Sequence, residues 1–319
     1  MTDYNSNLPQ NGIKVQNLEV NNNYGFELAE LRSIYALVPA AFELANSSFN
    51  DNTYRSQQVI LLENTTLAIM NCTFMNNEYI DQSNLVKAES NANIFLTNSR
   101  FLSENVSSAN IVSTTYIPGV LTYDIQYFTL FIDSSIFDNV TSPFYLFELG
   151  SLFIIITNNI FQNLLLESTS LLSSSGAVIG SFANERNRSL EQAFYGNYPT
   201  ILDRMYEDLE DSDWLYFTIL SNNTFNQVKP PGSPIISTFI YLGQESLMYF
   251  PYLIIENNTF IGLNLTRDFF NTGVPYSAIN LVNNIWINLK SETLMKLGQA
   301  QSGILQNNLI VDSVADSFF

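Results

Sequence analysis

The chain has 319 residues, a formal net charge of −18 and 46% hydrophobic residues. The apolar content can fill a sizeable core, whereas the acidic balance argues against a nucleic acid or an anionic membrane as partner, because both require a basic patch. The absence of histidine excludes serine–histidine and cysteine–histidine catalysis, and the single cysteine, Cys72, excludes an intrachain disulfide and a cysteine-based zinc site.

A short motif recurs along the chain: two small polar residues, then one residue, then a large apolar residue, as in "MNCTFMNN" from Met70 and "ENNTFIGLN" from Glu256. The first polar residues of the successive units are Asn22, Asn46, Asn71, Asn98, Ser134, Asn158, Asn222, Asn257, Asn283 and Asn307. Asn21 also fits the first unit, but Leu18 and Val20 favour Asn22. Most units are 24 to 27 residues apart, and such a period indicates a solenoid.

Each unit contains two predicted strands. The residues four and two before the first polar residue are apolar: Phe42 and Leu44, Leu67 and Ile69, Ile94 and Leu96, Leu130 and Ile132, Ile154 and Ile156, Leu253 and Ile255, Ile279 and Leu281. This alternation is typical of a strand with one buried face. Three residues after the first polar residue, a large side chain begins a second strand: Phe49, Phe74, Phe101, Phe137, Phe161, Phe225, Phe260, Trp286 and Ile310.

The repeated turn resembles that of the right-handed parallel β-helix superfamily typified by pectate lyases, whose coils carry an N-N-x-F-like turn with stacked asparagines. The resemblance implies an all-β, right-handed parallel β-helix solenoid of about ten coils, forming a single domain over residues 1–319. The superfamily includes lyases, hydrolases, tailspikes, adhesins and non-enzymatic surface proteins, so the fold does not decide the activity.

The two asparagines of the motif are expected to have different roles. The first is predicted to point inward and to form a hydrogen-bonded asparagine ladder at the strand spacing of about 4.8 Å. Its members would be Asn46, Asn71, Asn98, Asn158, Asn222, Asn257, Asn283 and Asn307. The second is predicted to turn the chain with a positive φ, at Asn159, Asn223, Asn258, Asn284 and Asn308.

Three longer intervals between units carry insertions. They contain "YIPGVLTYDIQ", residues 180–213 and "YLGQESLMYFP", and each precedes the strand that leads into the turn, so one corner is expected to bear all three loops. Helix-forming residues predict that 180–213 is a partly helical flap. Its acidic residues Glu207, Asp208, Glu210, Asp211 and Asp213 could bind calcium, but the spacing of a calcium loop is missing, which favours a solvated acidic face. No metal or cofactor site is predicted.

The outward residues do not suggest a catalytic site. Asp133 and Glu256 share a predicted column but lie three coils apart, about 14 Å, whereas glycosidase carboxylates are roughly 5–9.5 Å apart. Arg100 is expected between Thr73 and Ile136, with no acidic partner in its column. We therefore predict no catalytic residues and no enzymatic activity. The alternative is a polysaccharide-binding or polysaccharide-degrading β-helix protein, a lyase or hydrolase, with a site built across the insertions.

Nine N-x-S/T sequons occur in the chain. Four coincide with predicted ladder positions, namely Asn46, Asn71, Asn222 and Asn257, and are expected to be unmodified. The other five are predicted to carry any glycans: Asn64, Asn105, Asn139, Asn187 and Asn264. The sequons favour an extracellular or cell-surface location, and the sequence style is similar to that of large repeat surface proteins of protists.

Neither a membrane-spanning stretch nor a signal peptide is recognisable, so the chain is expected to be non-secreted, processed or partial. The C-terminal "QNNLIVDSVADSFF" continues the repeat with only two aspartates to protect the sheet edge. The coil ends are therefore expected to pair with other copies or with further coils of a longer parent chain. Together these features predict a non-enzymatic structural protein that forms fibres through its coil ends and lateral loops.

Overall fold

The computed structural model describes residues 12–25, 29–32, 40–55, 58–63, 65–81, 83–88, 92–107, 111–114, 128–142, 145–149, 153–166, 177–183, 217–227, 236–240, 252–263, 268–272, 278–296 and 302–317. Within these ranges the secondary structure consists of 35 short strands, β1 to β35, which pair in parallel in four sheets.

Sheets A and B have ten strands each. Sheet A contains β1 (Gly12–Gln16), β4 (Ala40–Ala45), β8 (Thr65–Met70), β12 (Ala92–Thr97), β16 (Phe128–Asp133), β20 (Phe153–Thr157), β24 (Phe217–Ser221), β27 (Tyr252–Glu256), β30 (Ala278–Val282) and β33 (Ser302–Gln306). Sheet B contains β2 (Glu19–Asn21), β5 (Ser48–Asn50), β9 (Thr73–Met75), β13 (Arg100–Leu102), β17 (Ile136–Asp138), β21 (Ile160–Gln162), β25 (Thr224–Asn226), β28 (Thr259–Ile261), β31 (Ile285–Ile287) and β34 (Leu309–Val311).

Sheet C has five strands, whereas sheet D has ten. Sheet C contains β6 (Thr53–Arg55), β10 (Glu78–Ile80), β14 (Asn105–Val106), β18 (Thr141–Ser142) and β22 (Leu165–Leu166). Sheet D contains β3 (Ala29–Arg32), β7 (Ile60–Glu63), β11 (Val86–Ala88), β15 (Val112–Thr114), β19 (Tyr145–Leu149), β23 (Ala177–Ala183), β26 (Ile236–Ile240), β29 (Asp268–Thr272), β32 (Lys290–Lys296) and β35 (Val314–Ser317).

Each coil visits the sheets in a fixed order. The chain runs from sheet A through a first turn into sheet B, then through a second turn, past sheet C where it is present, into sheet D and on to sheet A of the next coil. Every strand pairs in parallel with strands of the neighbouring coils. This is a parallel β-helix, so the predicted fold class is confirmed.

The core consists of columns of identical or similar side chains. All the apolar pairs predicted to face inward from sheet A are buried in one continuous cluster. The aromatic residues of sheet B stack coil upon coil from Phe49 to Trp286, with ring centroids 4.6 to 5.7 Å apart. These separations match the strand spacing, at which stacked aromatic rings attract one another.

The first coil starts five residues earlier than predicted. Gln16 pairs with Ala45, and Val20 pairs with Phe49, so Asn17 is the equivalent of Asn46. Asn22 lies in the second turn instead, and its assignment to the first unit is wrong. The misassignment arose because Val20 replaces the aromatic residue that marks this position in most other coils.

The middle insertion begins later than predicted. Residues 180–183 belong to β23, which pairs with β19 and β26, so the boundary at residue 180 is wrong. The rest of the predicted flap, with its helical segments and acidic residues, lies outside the described residues. All three insertions separate a strand of sheet D from the next strand of sheet A, at β15–β16, β23–β24 and β26–β27. They therefore interrupt the coil at the same corner, as expected.

Candidate functional site

The first turn reverses the roles predicted for its two polar residues. The first residue of each pair has φ between +49° and +58°, a region that asparagine tolerates better than most residues. Its side chain is exposed. The prediction that this position forms the inner ladder is therefore wrong for Asn46, Asn71, Asn98, Asn158, Asn222, Asn257, Asn283 and Asn307. In this left-handed conformation, the backbone directs the next side chain into the core.

The inner ladder is formed by the second residue of each pair. Asn159, Asn223, Asn258, Asn284 and Asn308 follow one another on successive coils. The backbone N–H and side-chain Nδ2 of Asn223 both donate to Oδ1 of Asn258, at 2.9 and 3.0 Å. The same pattern links the other pairs. Each Nδ2 also donates to a backbone carbonyl of the previous coil, so the buried amides are satisfied.

Smaller residues continue this ladder towards the N-terminus: Ser47, Cys72, Ser99 and Ser135. The backbone N–H of Cys72 donates to Oγ of Ser99 at 3.2 Å, and that of Ser135 donates to Oδ1 of Asn159 at 2.8 Å. Burial raises the pKa of the Cys72 thiol to about 11. Since the thiolate is the reactive form of cysteine, this residue acts as a small polar group in the turn.

Replacing Asn223 by alanine should lower the free energy of unfolding by about 1–3 kcal/mol, because both donors of Asn159 lose their buried acceptor. Asn222→Gly is the matched control in the same turn, since Asn222 is exposed and glycine accepts its positive φ at little cost. Urea unfolding monitored by circular dichroism measures both changes. A larger loss for Asn222→Gly than for Asn223→Ala would restore the original assignment.

A second inner ladder runs through the second turn of the first four coils. The backbone N–H of Asn23 donates to Oδ1 of Asn52, and that of Asn52 to Oδ1 of Asn77, at 3.0 and 3.1 Å. Asn77 then donates to the carboxyl group of Glu104 through its backbone N–H and its Nδ2. We did not predict this ladder from the sequence. Its signal is a polar pair after the aromatic residue, as in "FNDN" and "FMNN".

Glu104 ends this second ladder inside the core. Its carboxyl group also accepts a hydrogen bond of 2.8 Å from the hydroxyl of Tyr79, whose ring stacks on Tyr54. Burial raises the pKa of Glu104 to about 8, although the hydrogen bonds from Tyr79 and Asn77 act in the opposite direction. Burial and the nearby carboxyl group raise the pKa values of both tyrosines. In later coils, the inward position is apolar at Val140, Leu164, Leu263 and Leu289.

The outward carboxylates hold neighbouring coils together. Oδ1 of Asp133 accepts hydrogen bonds from Thr157 Oγ1 at 2.8 Å and Asn158 Nδ2 at 2.7 Å. Glu256 accepts one from Ser221 at 3.2 Å. The strand register places Asp133 and Glu256 three coils apart in one column, as predicted. Arg100 lies between Thr73 and Ile136, also as predicted.

The sequons fall into two groups. Asn46, Asn71, Asn222 and Asn257 are exposed in the first turn, so the reason for expecting them to be unmodified is lost. Of the five predicted glycan positions, Asn105 and Asn139 are exposed, while Asn64, Asn187 and Asn264 lie outside the described residues. In the described part of the chain, no group of three or more Cys, Asp or Glu residues could hold a metal ion. No helix in that part is long and apolar enough to cross a membrane.

The two terminal coils present core side chains to solvent. Leu305 is 51% exposed and Ile310 is 38% exposed, although they continue the columns of Leu281 and Trp286, which are buried. At the other end, Ile13 of β1 is 56% exposed and continues the column of Phe42. The strands β1, β2 and β3, and likewise β33, β34 and β35, are edge strands of sheets A, B and D.

No family model matches the chain, and no curated protein matches it. One solved structure that it resembles is the A-module of the Azotobacter vinelandii mannuronan C-5 epimerase AlgE6, with a TM-score of 0.36 and 13% sequence identity. The match covers 95% of this chain and 64% of that module. The chain thus spans less than two thirds of the module's length. By its parallel sheets, the chain is a parallel β-helix protein.

Proposed function

We propose that the chain is a non-enzymatic structural protein, located outside the cell or on its surface, that extends its β-helix by stacking end to end on copies of itself. The observation that supports this most strongly is the exposure of Leu305 and Ile310, which occupy core positions on an open sheet edge. Open edges recruit further strands because their backbone donors and acceptors lack partners.

The two ends are complementary in register. Stacking β1 on β33 would place Ile13 over Gly303 and Val15 over Leu305, following the register that already links β1 to β4 and β30 to β33. Gly303 has no side chain of its own that could clash with Ile13 of the second copy. In the second turn, the backbone N–H of Ser313 would face the side chain of Asn23 of the second copy, just as the backbone N–H of Asn23 donates to the side chain of Asn52. A second copy therefore continues both the core and a ladder.

Electron microscopy and light scattering test this assembly. We expect filaments with an axial repeat of about 48 Å, the length of ten coils at the usual strand spacing. Leu305→Asp should abolish them, because it places a charge in the joint. Leu165→Asp is the matched control, since Leu165 is exposed on sheet C, away from the coil ends, and should leave assembly unchanged. A monomer at all concentrations would contradict the stacking. If further residues of a longer chain cover the coil ends, those residues and not a second copy pair with the edge strands.

The absence of enzymatic activity is part of the same proposal. The hydrogen bonds of Asp133 and Glu256 to neighbouring coils give both carboxylates a structural role. Their separation of about 14 Å exceeds that of glycosidase pairs. Incubation with polygalacturonate is expected to release neither reducing nor unsaturated ends. Release that disappears in Asp133→Asn would support the polysaccharide-degrading alternative.

A further inference from the structure

Four first turns combine an exposed asparagine with a sequon. In each of them the asparagine has φ between +51° and +56°, the next residue points into the ladder, and a hydroxyl residue opens the strand of sheet B. The asparagines are Asn46, Asn71, Asn222 and Asn257, and the hydroxyl residues are Ser48, Thr73, Thr224 and Thr259, all partly exposed. The same turn occurs without the hydroxyl residue at Asn17, Asn98, Asn158, Asn283 and Asn307.

The fold tolerates a large substituent at these asparagines. The buried ladder is carried by the following residue, so a group on the exposed Nδ2 leaves every inner hydrogen bond in place. At Asn46 and Asn257 the contact with the next coil uses the side-chain Oδ1, which accepts from Nδ2 of Asn71 at 3.3 Å and of Asn283 at 3.2 Å. The Nδ2 atoms of Asn46 and Asn257 take no part in those two contacts.

We propose that the first-turn sequons are N-glycan acceptors, which places sugar chains along one edge of the rod. The proposal rests on the extracellular location in the proposed function. In the reaction, Nδ2 of the asparagine forms a bond to the anomeric carbon of a lipid-pyrophosphate-linked oligosaccharide. The amide loses one proton, and the lipid pyrophosphate leaves with the bonding electrons.

The spacing of the coils limits the number of glycans. Asn46 and Asn71 lie on adjacent coils, as do Asn222 and Asn257, so the members of each pair are about 4.8 Å apart. A pyranose ring with its substituents is wider than this spacing, so one molecule carries at most one glycan per pair. Asn46 is the favoured member of its pair, because Asn71 uses Nδ2 to bond to it.

Glycopeptide mapping and intact mass test the proposal on the full chain, secreted from a eukaryotic host behind a cleavable signal peptide. We expect one glycan per pair, with Asn46 occupied more than Asn71, and none at the five first-turn asparagines that lack the hydroxyl residue. Ser48→Ala keeps Asn46 but removes its sequon, so occupancy should move to Asn71. Ile160→Thr creates a sequon at Asn158 on an exposed strand position and should add a glycan there.

Two results would overturn the proposal. Glycans at Asn105 or Asn139, with none at the four first-turn sequons, would contradict the turn assignment. Two glycans in one pair on the same molecule would contradict the spacing argument. Mapping the glycans of the protein from its natural source distinguishes a failure of this proposal from a failure of the proposed function. A native protein without any glycan contradicts the extracellular location, whereas native glycans confined to Asn105 and Asn139 contradict the turn assignment alone. Filament formation by unglycosylated protein is measured independently of both.

Discussion

Replacing Phe161 by alanine should lower the free energy of unfolding by about 3–5 kcal/mol, the usual cost of deleting a core aromatic side chain. Phe161 is fully buried and stacks on Phe137 at 5.0 Å and Phe225 at 4.9 Å, with Phe147 edge-on at 6.4 Å. The deletion opens a cavity in the middle of the aromatic column, and the surrounding side chains relax only partially to fill it. Guanidinium unfolding monitored by circular dichroism measures the loss.

Ile160→Ala is the matched control for Phe161→Ala. Ile160 precedes Phe161 on the same strand but points outward and is 38% exposed. Its truncation should cost less than about 1 kcal/mol, the range typical of surface positions. Equal losses for the two variants would show that the column of stacked rings does not dominate the stability of this region.

Glu104 should make the protein less stable as the pH rises from about 4.5 to about 8. Its folded-state pKa of about 8 lies above the ordinary value of 4.5, because burial penalises the charged carboxylate. The folded chain therefore keeps a proton that the unfolded chain releases. The stabilisation is fully present below the unfolded pKa and is lost as the pH rises through the folded pKa. The folding equilibrium constant changes by up to about tenfold per pH unit in this window.

Glu104→Gln should remove this pH dependence. Glutamine keeps an acceptor for Tyr79 and Asn77 but carries no charge at any pH. The difference in unfolding free energy between wild type and variant should fall from pH 4.5 to 8 and stay constant outside that range. Asn105→Gln, at the exposed neighbouring position, removes no titratable group and is the control that should give a flat difference. A flat difference for Glu104→Gln would mean that the carboxyl group is ionised within the fold at neutral pH.

The sequence predicted the features that depend on side-chain polarity. The inward residues of sheet A and the aromatic column were identified correctly, because burial selects apolar residues in a regular alternation. The insertions were placed at the right corner, because they interrupt the period just before the strands of sheet A. The shared column of Asp133 and Glu256 followed from the same alignment.

The sequence did not distinguish the two asparagines of the first turn. Both positions accept asparagine. The first does so because the backbone of asparagine tolerates a positive φ, and the second because its amide can join a ladder, so residue identity alone cannot assign the roles. A clue lies in the substitutions: the second position also holds Cys72 and Ser47, which suit a small buried site. The buried Glu104 was missed because a glutamate takes this position in only one of the described coils, so the periodicity offers no signal for it.

At the corner between sheets D and A, the number of residues in a coil can change without changing how adjacent coils stack. The ladder bond from Ser135 to Asn159 spans 24 residues and measures 2.8 Å, whereas the bond from Asn159 to Asn223 spans 64 residues and measures 2.9 Å. Adding 40 residues at the corner thus leaves the stacking of adjacent coils unchanged. In evolution, this corner can gain, lose or exchange whole loops under selection of their own, while the coils remain under selection only for mutual fit. New surface properties can therefore arise there at a small cost to folding, because the entropy of closing a loop rises only slowly with its length.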